Sequence, residues 1–124
     1  MGLFDVTGAA LEVAIRGTEQ RQSVLSNNLA NVNTPGFKGS DVSFQSALAD
    51  ALSSAKNSSD TAGVDATQFT TSTDTTSTMR TDGNNVDPDV TAADLSKNQL
   101  LFDSVMAIET KRLHTMDSAI TGAH

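Results

Sequence analysis

Apolar residues recur at alternating steps of four and three along the first part of the chain. This spacing is that of a heptad seam, and it predicts an α-helix over residues 9–32. Thr18 and Gln22 are polar positions within the seam. They either face solvent or fix the register against a partner helix, and the pattern leaves both possibilities open. The seam consists of Leu11, Ile15, Thr18, Gln22, Leu25, Leu29 and Val32.

A second long helix is predicted over residues 90–120, with Asp89 or Thr91 as its N-cap and Gly122 at its end. Its apolar positions form two stripes, so the apolar face is wider than a strict seam and should contact more than one partner. The first stripe is Leu101, Val105 and Ile108, continued by Arg112 and Thr115. The second is Leu95, Phe102, Met106, Leu113 and Ile120.

The end of the first helix is rich in Asn and is followed by a turn signal. Asn27, Asn28 and Asn31 occupy neighbouring positions on the helix surface. Their amides could form a hydrogen-bond ladder between chains or cap the helix within one chain, and the spacing favours neither. Asn33-Thr34-Pro35-Gly36 predicts a type II turn that places Gly36 at positive φ.

The middle of the chain is more polar. A short helix is predicted over residues 41–52, with Asp41 as its N-cap and three apolar residues at steps of four on one face. Residues 53–81 contain 15 Ser or Thr among 29 positions, a composition that buries too little surface to offset the entropy of ordering. We therefore expect a loop there, with a brief extended piece near residues 68–71. The apolar residues of the short helix are Phe44, Leu48 and Leu52.

These patterns predict a mainly α fold. Long N- and C-terminal helices pair as an antiparallel coiled-coil hairpin, with a short helix and a polar, largely irregular segment between them. Three regions follow along the chain: residues 1–39, residues 40–89 and residues 90–124. The first and last together form one structural domain.

Composition narrows the classes of function. The 124 residues are 37% hydrophobic and include five Phe but no Trp or Tyr, so we expect a thin core that neighbouring chains complete. The net charge is −7, and residues 40–90 carry eight Asp against two basic residues. An acidic middle argues against binding to nucleic acid or to an anionic membrane surface. The absence of Cys excludes disulfides and thiol catalysis.

The sequence offers no constellation for catalysis. His114 and His124 are the two histidines, and neither has the spacing of a metal ligand set. Residues 82–87 resemble half of a calcium loop, but Val86 and Ala93 stand where the loop requires oxygen ligands. We expect no enzyme activity, no cofactor and no small-molecule substrate.

Residues 26–38, with the sequence SNNLANVNTPGFK, closely resemble the signature of the flagellar rod and hook family. Residues 41–44, 79–87 and 98–102 resemble a proximal rod subunit. The resemblance implies a structural protein of the axial shaft that transmits torque from the membrane ring to the hook, with terminal helices packed as coiled coils. The packing residues it implies at the motif are Leu25, Asn27, Asn28, Leu29, Asn31, Val32, Asn33, Pro35, Gly36 and Phe37. In the last helix, those predicted to pack are Leu101, Phe102, Val105, Ile108 and Leu113.

The resemblance also implies partners and a location. It implies self-association and contact with the rod subunits FlgC, FlgF and FlgG, the rod-base protein FliE and the membrane ring protein FliF. It places the subunit in the basal body, where the rod crosses the periplasm, after type III export without a cleaved signal peptide. The first residues, Met1 to Val6, accordingly lack a basic-then-apolar signal pattern. Phe44 and Leu48 resemble the Phe-x-x-x-aliphatic element that docks at the export gate, although one turn of amphipathic helix explains them equally well.

Two alternatives remain at this point. The chain could be another axial protein such as FlgC, although the Ala-Asn-Val-like ending of that group is absent from residues 105–124. It could instead be a secreted helical-hairpin interaction protein outside flagella, although the absence of Trp removes the Trp-x-Gly group.

Overall fold

Two long antiparallel helices run the length of the molecule. The computed structural model describes residues 2–58 and 62–122. Helix α1 spans Gly2–Ala30, and helix α4 spans Pro88–Ile120. The start of α1 lies beside the end of α4. Gly8 is so close to Arg112 that a Cβ built on the glycine would lie 3.0 Å from the guanidinium group. The predicted hairpin is confirmed, although α1 begins seven residues earlier and ends two residues earlier than predicted.

The interface between α1 and α4 has a polar centre. Thr91, Asn98 and Val105 are the buried residues of α4, and they follow one another at steps of seven. Asn98 Nδ2 donates to Thr18 O at 2.9 Å and to Gln22 Oε1 at 3.0 Å. The two polar positions of the α1 seam therefore face the partner helix rather than solvent. Since one amide must reach two specific acceptors, it fixes the register of the hairpin.

A second layer packs against the other face of α1. Helix α2 spans Phe44–Ser58 and helix α3 spans Ala62–Asp65. Their buried residues Ala55 and Val64 form a core with Ala9 and Val13 of α1. Partly buried apolar side chains surround this core, namely Val6, Leu48, Ala51 and Phe69.

The expectation of a loop over residues 53–81 was therefore wrong in its first part. Alanine and valine supply this core, so a search for large apolar residues overlooked it. The hydroxyls do not prevent helix formation, because Ser53 and Ser54 donate to the carbonyls of Ala49 and Asp50, one turn earlier.

Two short strands form an antiparallel ribbon. Strand β1 spans Ser40–Val42 and pairs with β2, Thr71–Thr73, in the register Ser40 to Thr73. Strand β2 thus begins at Thr71, the last residue of the extended piece predicted over residues 68–71. Asp41 lies in β1 and contacts Arg21 Nε at 3.1 Å, so the prediction that it caps α2 was wrong. The helix begins three residues later, at Phe44.

The start of α4 also differs from the prediction. Asp87 is the N-cap, and its carboxylate accepts from the backbone N–H groups of Asp89 and Val90. Pro88 occupies the first helical position, where its missing N–H costs nothing, so the cap must precede it. Thr91 instead donates its hydroxyl to Asp87 O at 2.7 Å. The predicted end is confirmed, since Gly122 adopts φ 72°. His124 lies outside the described residues.

Within the described ranges, neither long helix has an apolar stretch sufficient to cross a membrane.

Candidate functional site

Asn31, just after the end of α1, makes hydrogen bonds to residues close to it in the chain. Asn31 Nδ2 donates to Asn27 O at 2.9 Å, and Asn31 Oδ1 accepts from the Thr34 hydroxyl at 3.1 Å. The chain then turns as predicted. Phe37 N donates to Thr34 O at 3.2 Å, and Gly36 adopts φ 74°, as a type II turn requires.

Asn28 joins α1 to the β-ribbon. Its Nδ2 donates to Ser40 O at 2.7 Å, and its Oδ1 accepts from Ser40 N at 3.0 Å. The side chain is buried and satisfies both backbone groups of one residue, as a neighbouring strand would. Within the subunit, Asn28 thus binds the backbone of β1 and Asn31 binds the last turn of α1 and Thr34, so both amides make internal hydrogen bonds.

Asn84 connects the Asp82-Gly83-Asn84-Asn85 turn to the end of α1. The side chain is 0% exposed. Its Nδ2 donates to Asn31 O and to Thr34 O, both at 2.9 Å, and its Oδ1 accepts from Val86 N at 2.8 Å. Two motifs that lie about fifty residues apart therefore form one junction at the bend of the hairpin.

Cations and backbone groups complete this junction. Arg80 donates to Val32 O, and Lys38 donates to Gly83 O. Gly36 N donates to Asp82 O at 2.8 Å. Each contact joins the segment that follows α1 to the segment that precedes α4, so the bend is held from both sides.

The adjacent loop carries an ionised carboxylate. The hydroxyl of Ser77 and the backbone N–H groups of Thr76 and Ser77 donate to Asp74. These hydrogen bonds, that of the Ser77 side chain first, lower the pKa of Asp74 from 3.8 to about 2. Asp74 O accepts from Asn85 Nδ2 at 2.7 Å, which attaches the loop to the junction.

Comparison with known proteins gives matches to part of this region and, for several relatives, to most of the chain. A family model described as flagella basal body rod protein matches residues 12–38. The flagellar basal body rod protein FlgB of Borrelia hermsii is 32% identical over 81% of this chain and 84% of the relative. That of Borreliella burgdorferi is 40% identical over 66% of this chain and 71% of the relative. That of Bacillus subtilis is 29% identical over 98% of both.

The chain belongs to the FlgB family of flagellar basal body rod proteins. It is therefore a structural component of the flagellar basal body rod, and nothing favours the alternatives left open by the sequence. The matched residues 12–38 cover most of α1 and the Pro-Gly turn, which contribute one of the two segments of the junction described above.

The packing residues predicted at the family motif divide by exposure. Leu25 and Asn28 are buried within the subunit, and the intermediate group is partly exposed. The exposed group is accessible on the surface of the subunit. The intermediate residues are Leu29, Asn31, Val32 and Phe37, and the exposed ones are Asn27, Asn33, Pro35 and Gly36.

The packing residues predicted on α4 divide in the same way. Val105 is buried, while Leu101 and Phe102 are partly buried. Ile108 and Leu113 stand about half exposed, at 54% and 52%. The second apolar stripe becomes more exposed towards the end of the helix.

The predicted export element lies inside the folded subunit. Phe44 is 2% exposed and meets Phe69 edge to face, with ring centroids 6.1 Å apart. A Cβ added at Gly17 would lie 2.6 Å from the Phe44 ring, so only glycine permits this approach. Leu48 is partly buried beside the same core.

Sequence reasoning missed three residues that organise the fold, namely Gly17, Asn84 and Asn98. Asn98 had a usable signal, since it falls midway in the seven-residue repeat from Thr91 to Val105. The sequence singled out Asn84 only within residues 82–87, the partial calcium loop, and nothing in its local sequence indicates that it binds the end of α1. His114 is exposed, and the described part of the chain contains no group of three potential metal ligands.

Proposed function

We propose that this subunit belongs to the proximal rod and polymerises through the exposed faces of its terminal helices, and that it transmits torque from the membrane ring to the hook. The observation that carries the proposal is an exposed apolar stripe on a hairpin that is internally fixed. Met106, Leu113 and Ile120 form this stripe, and Leu113 and Ile120 are 52% and 81% exposed. Their steps of seven place them on one side of α4.

The internal contacts support the mechanical part of the proposal. Asn98 fixes the register of α1 against α4, and Asn84 fixes the bend. Densely packed interiors have low compressibility, so a hairpin fixed at both places can transmit force without sliding. A polymer of such units is expected to twist as a body under torque.

The exposed stripe supports the assembly part. Complete burial of one large apolar side chain is worth about 1.5–3 kcal/mol relative to leaving it in water. Three such side chains exposed in one row are therefore costly. A neighbouring subunit that covered the stripe would recover this free energy. If the contact is head-to-tail and does not close, repetition of it generates a helical filament.

The partners follow from the family. As a basal body rod protein, the chain assembles with other rod components. We propose that these include its own copies and FlgC, FlgF and FlgG, with FliE and the ring protein FliF at the base. The rod would then cross the periplasm, after export without a cleaved signal.

The export element fits delivery of an unfolded chain. Phe44 is buried in the folded subunit and would be accessible only before α2 packs on α1. We propose that the export gate reads Phe44 and Leu48 in this unfolded state.

The test of assembly uses a residue that the subunit itself does not bury. Leu25 is unsuitable, because an aspartate there would place an unpaired charge inside the hairpin. Leu113→Asp should leave the subunit folded and exported but block rod formation. Leu100→Asp is the matched control, since Leu100 is 68% exposed and lies on another side of α4. Rods would be counted by electron microscopy in a strain that lacks the native gene, and rods of normal number with Leu113→Asp would refute the proposed interface.

A further inference from the structure

A groove of about 870 Å³ lies at the bend of the hairpin, between the β-ribbon and the first turns of α4. Leu25 and Val86, both buried, form its base, and Val90 forms one wall at 56% exposed. The free subunit therefore leaves apolar surface open to water there. We call this surface the bend groove, and it is lined by residues 39–41, 72–78 and 85–87 and by parts of α1 and α4.

The walls of the bend groove are acidic. Asp94 is partly buried, and its carboxylate makes no hydrogen bond or ion pair with any other residue in the described ranges. Asp74 is ionised at neutral pH, because hydrogen bonds, chiefly that of the Ser77 hydroxyl, lower its pKa to about 2. Like charges gathered around one groove produce a field that attracts a cation. The described lining includes no Lys, Arg or His, and its acidic residues are Asp41, Asp74, Asp87 and Asp94.

These carboxylates suit a cationic side chain better than a metal ion. Asp41 is already engaged by Arg21 Nε at 3.1 Å. Asp74 accepts hydrogen bonds within its own loop, and Asp87 caps α4. Across residues 2–58 and 62–122, no three potential ligands lie close enough together to hold a metal ion. An ammonium group needs only one free carboxylate, and Asp94 provides it.

Lys111 supplies a matching surface on the other half of α4. Its ammonium has no hydrogen-bond or ion-pair partner in the part of the chain that the structure describes. The neighbouring Arg112 is instead engaged by Glu109 at 2.8 Å. Lys111 and His114 line a shallow, mainly apolar depression on α4, to which Met106 also contributes. A free lysine surrounded by apolar atoms complements an acidic groove with an apolar base.

We propose that Lys111 of one subunit enters the bend groove of the next copy in the rod and pairs with its Asp94. The inference rests on the proposed function, because it names a contact through which the same subunits polymerise. Asp94 and Lys111 lie seventeen residues apart on α4, a separation of about 25 Å, so they cannot pair within one subunit. Since the two surfaces differ, the contact is heterologous, and its repetition extends a filament.

Lys111 and Leu113 belong to different sides of α4. Two residues separate them in the sequence, which places Leu113 about 200° further round the helix. The proposed ion pair and the apolar stripe can therefore be altered one at a time, and an assembly defect can be assigned to one of them.

Charge reversal in a strain that lacks the native gene tests the ion pair. Asp94→Lys and Lys111→Asp should each lower incorporation into rods about tenfold, measured by immunoblotting of purified basal bodies, because each brings like charges together. The double variant should recover most of the wild-type incorporation, because it restores the pair with its charges exchanged. Asp50→Lys and Lys56→Asp, at exposed positions of α2, are the matched controls and should incorporate normally.

Crosslinking gives a second measurement that does not depend on how far charge reversal disturbs folding. The chain has no cysteine, so thiols can be placed at chosen positions alone. With Asp94→Cys and Lys111→Cys in one chain, a short bis-maleimide should convert the subunit in purified basal bodies into dimers and longer multiples. The reagent is needed because the Cα atoms of a Lys–Asp pair lie beyond the roughly 4.4–6.8 Å that a disulfide spans. Either substitution alone should give monomers, because the contact joins unlike positions.

The outcomes separate this inference from the proposed function. If the wild-type gene is required for rods but the single charge reversals incorporate normally, the inference is wrong and the proposed function stands. The same conclusion follows if the double reversal recovers nothing, or if the double-cysteine chain gives monomers alone, because another protein would then occupy the bend groove. If the deletion strain builds normal rods without the gene, the proposed function fails and the inference fails with it.

Discussion

Replacing Asn84 with alanine should loosen the bend of the hairpin without touching either long helix. The side chain is fully buried and makes three hydrogen bonds, to Asn31 O, Thr34 O and Val86 N. Alanine removes all three and adds no bulk. The change therefore tests whether the junction between the two motifs stabilises the subunit.

The expected magnitude follows from what each partner retains. Asn31 O still accepts from Thr34 N at 3.0 Å, and Thr34 O still accepts from Phe37 N at 3.2 Å, so these carbonyls lose one bond each, at about 1 kcal/mol. The N–H of Val86 is left without its acceptor, which costs about 1–3 kcal/mol. The sum is about 3–5 kcal/mol, and for a chain of this length it lowers the melting temperature by about 10–20 °C.

Urea denaturation of the purified subunit, followed by circular dichroism, measures this loss. Asn33→Ala is the matched control, because Asn33 lies in the Asn-rich segment that Asn84 contacts and is itself exposed. It should change the free energy of unfolding by about 0.5 kcal/mol or less. Asn84→Asp should lower the free energy of unfolding more than Asn84→Ala does at neutral pH, since a carboxylate would face two carbonyl oxygens. If Asn84→Ala is as stable as Asn33→Ala, the junction does not stabilise the subunit and the reasoning is refuted.

Two further predictions concern packing and pH. Gly17→Ala should destabilise the subunit by about 1–3 kcal/mol in urea denaturation, because the added methyl group would overlap the Phe44 ring, whereas Gly63→Ala has open space and should be neutral. Equal stability of these two variants would contradict the close approach. The pKa of Asp74 is lowered to about 2, so its ionised form stabilises the loop fully above about pH 4, and this contribution is lost as the pH falls through 2. Carboxyl NMR titration should show this pKa and a higher one in Ser77→Ala, and an unchanged value in that variant would exclude Ser77 as the main cause.

Local patterns predicted the framework of the fold. The steps of four and three fixed which face of α1 meets α4, and they include Thr18 at the centre of that interface. The Pro35-Gly36 turn and the glycine after α4 were also predicted, because each depends on the φ angle of one residue. Such features require only neighbouring residues, so a single sequence contains them.

Caps and the second layer were predicted less well. Asp41 has a side chain that suits an N-cap, but in the structure it lies in β1, which pairs with β2, and its carboxylate contacts Arg21. The α2–α3 layer buries Ala55 and Val64, and small residues give a weak periodic signal in a segment rich in hydroxyls. Competition between local propensity and long-range contact decided both cases.

The sequence alone determined the hairpin and the rod-family motif, because heptad spacing and turn chemistry are properties of consecutive residues. Only the tertiary structure decided that Asn84 binds the end of α1 and that Asn98 reaches Thr18 and Gln22, across separations of about 50 and 80 residues. An amide can pair with almost any backbone group, so its partner is fixed by which helices dock and in which register. The same docking buries Phe44 and leaves Leu113 exposed, which no periodicity could distinguish.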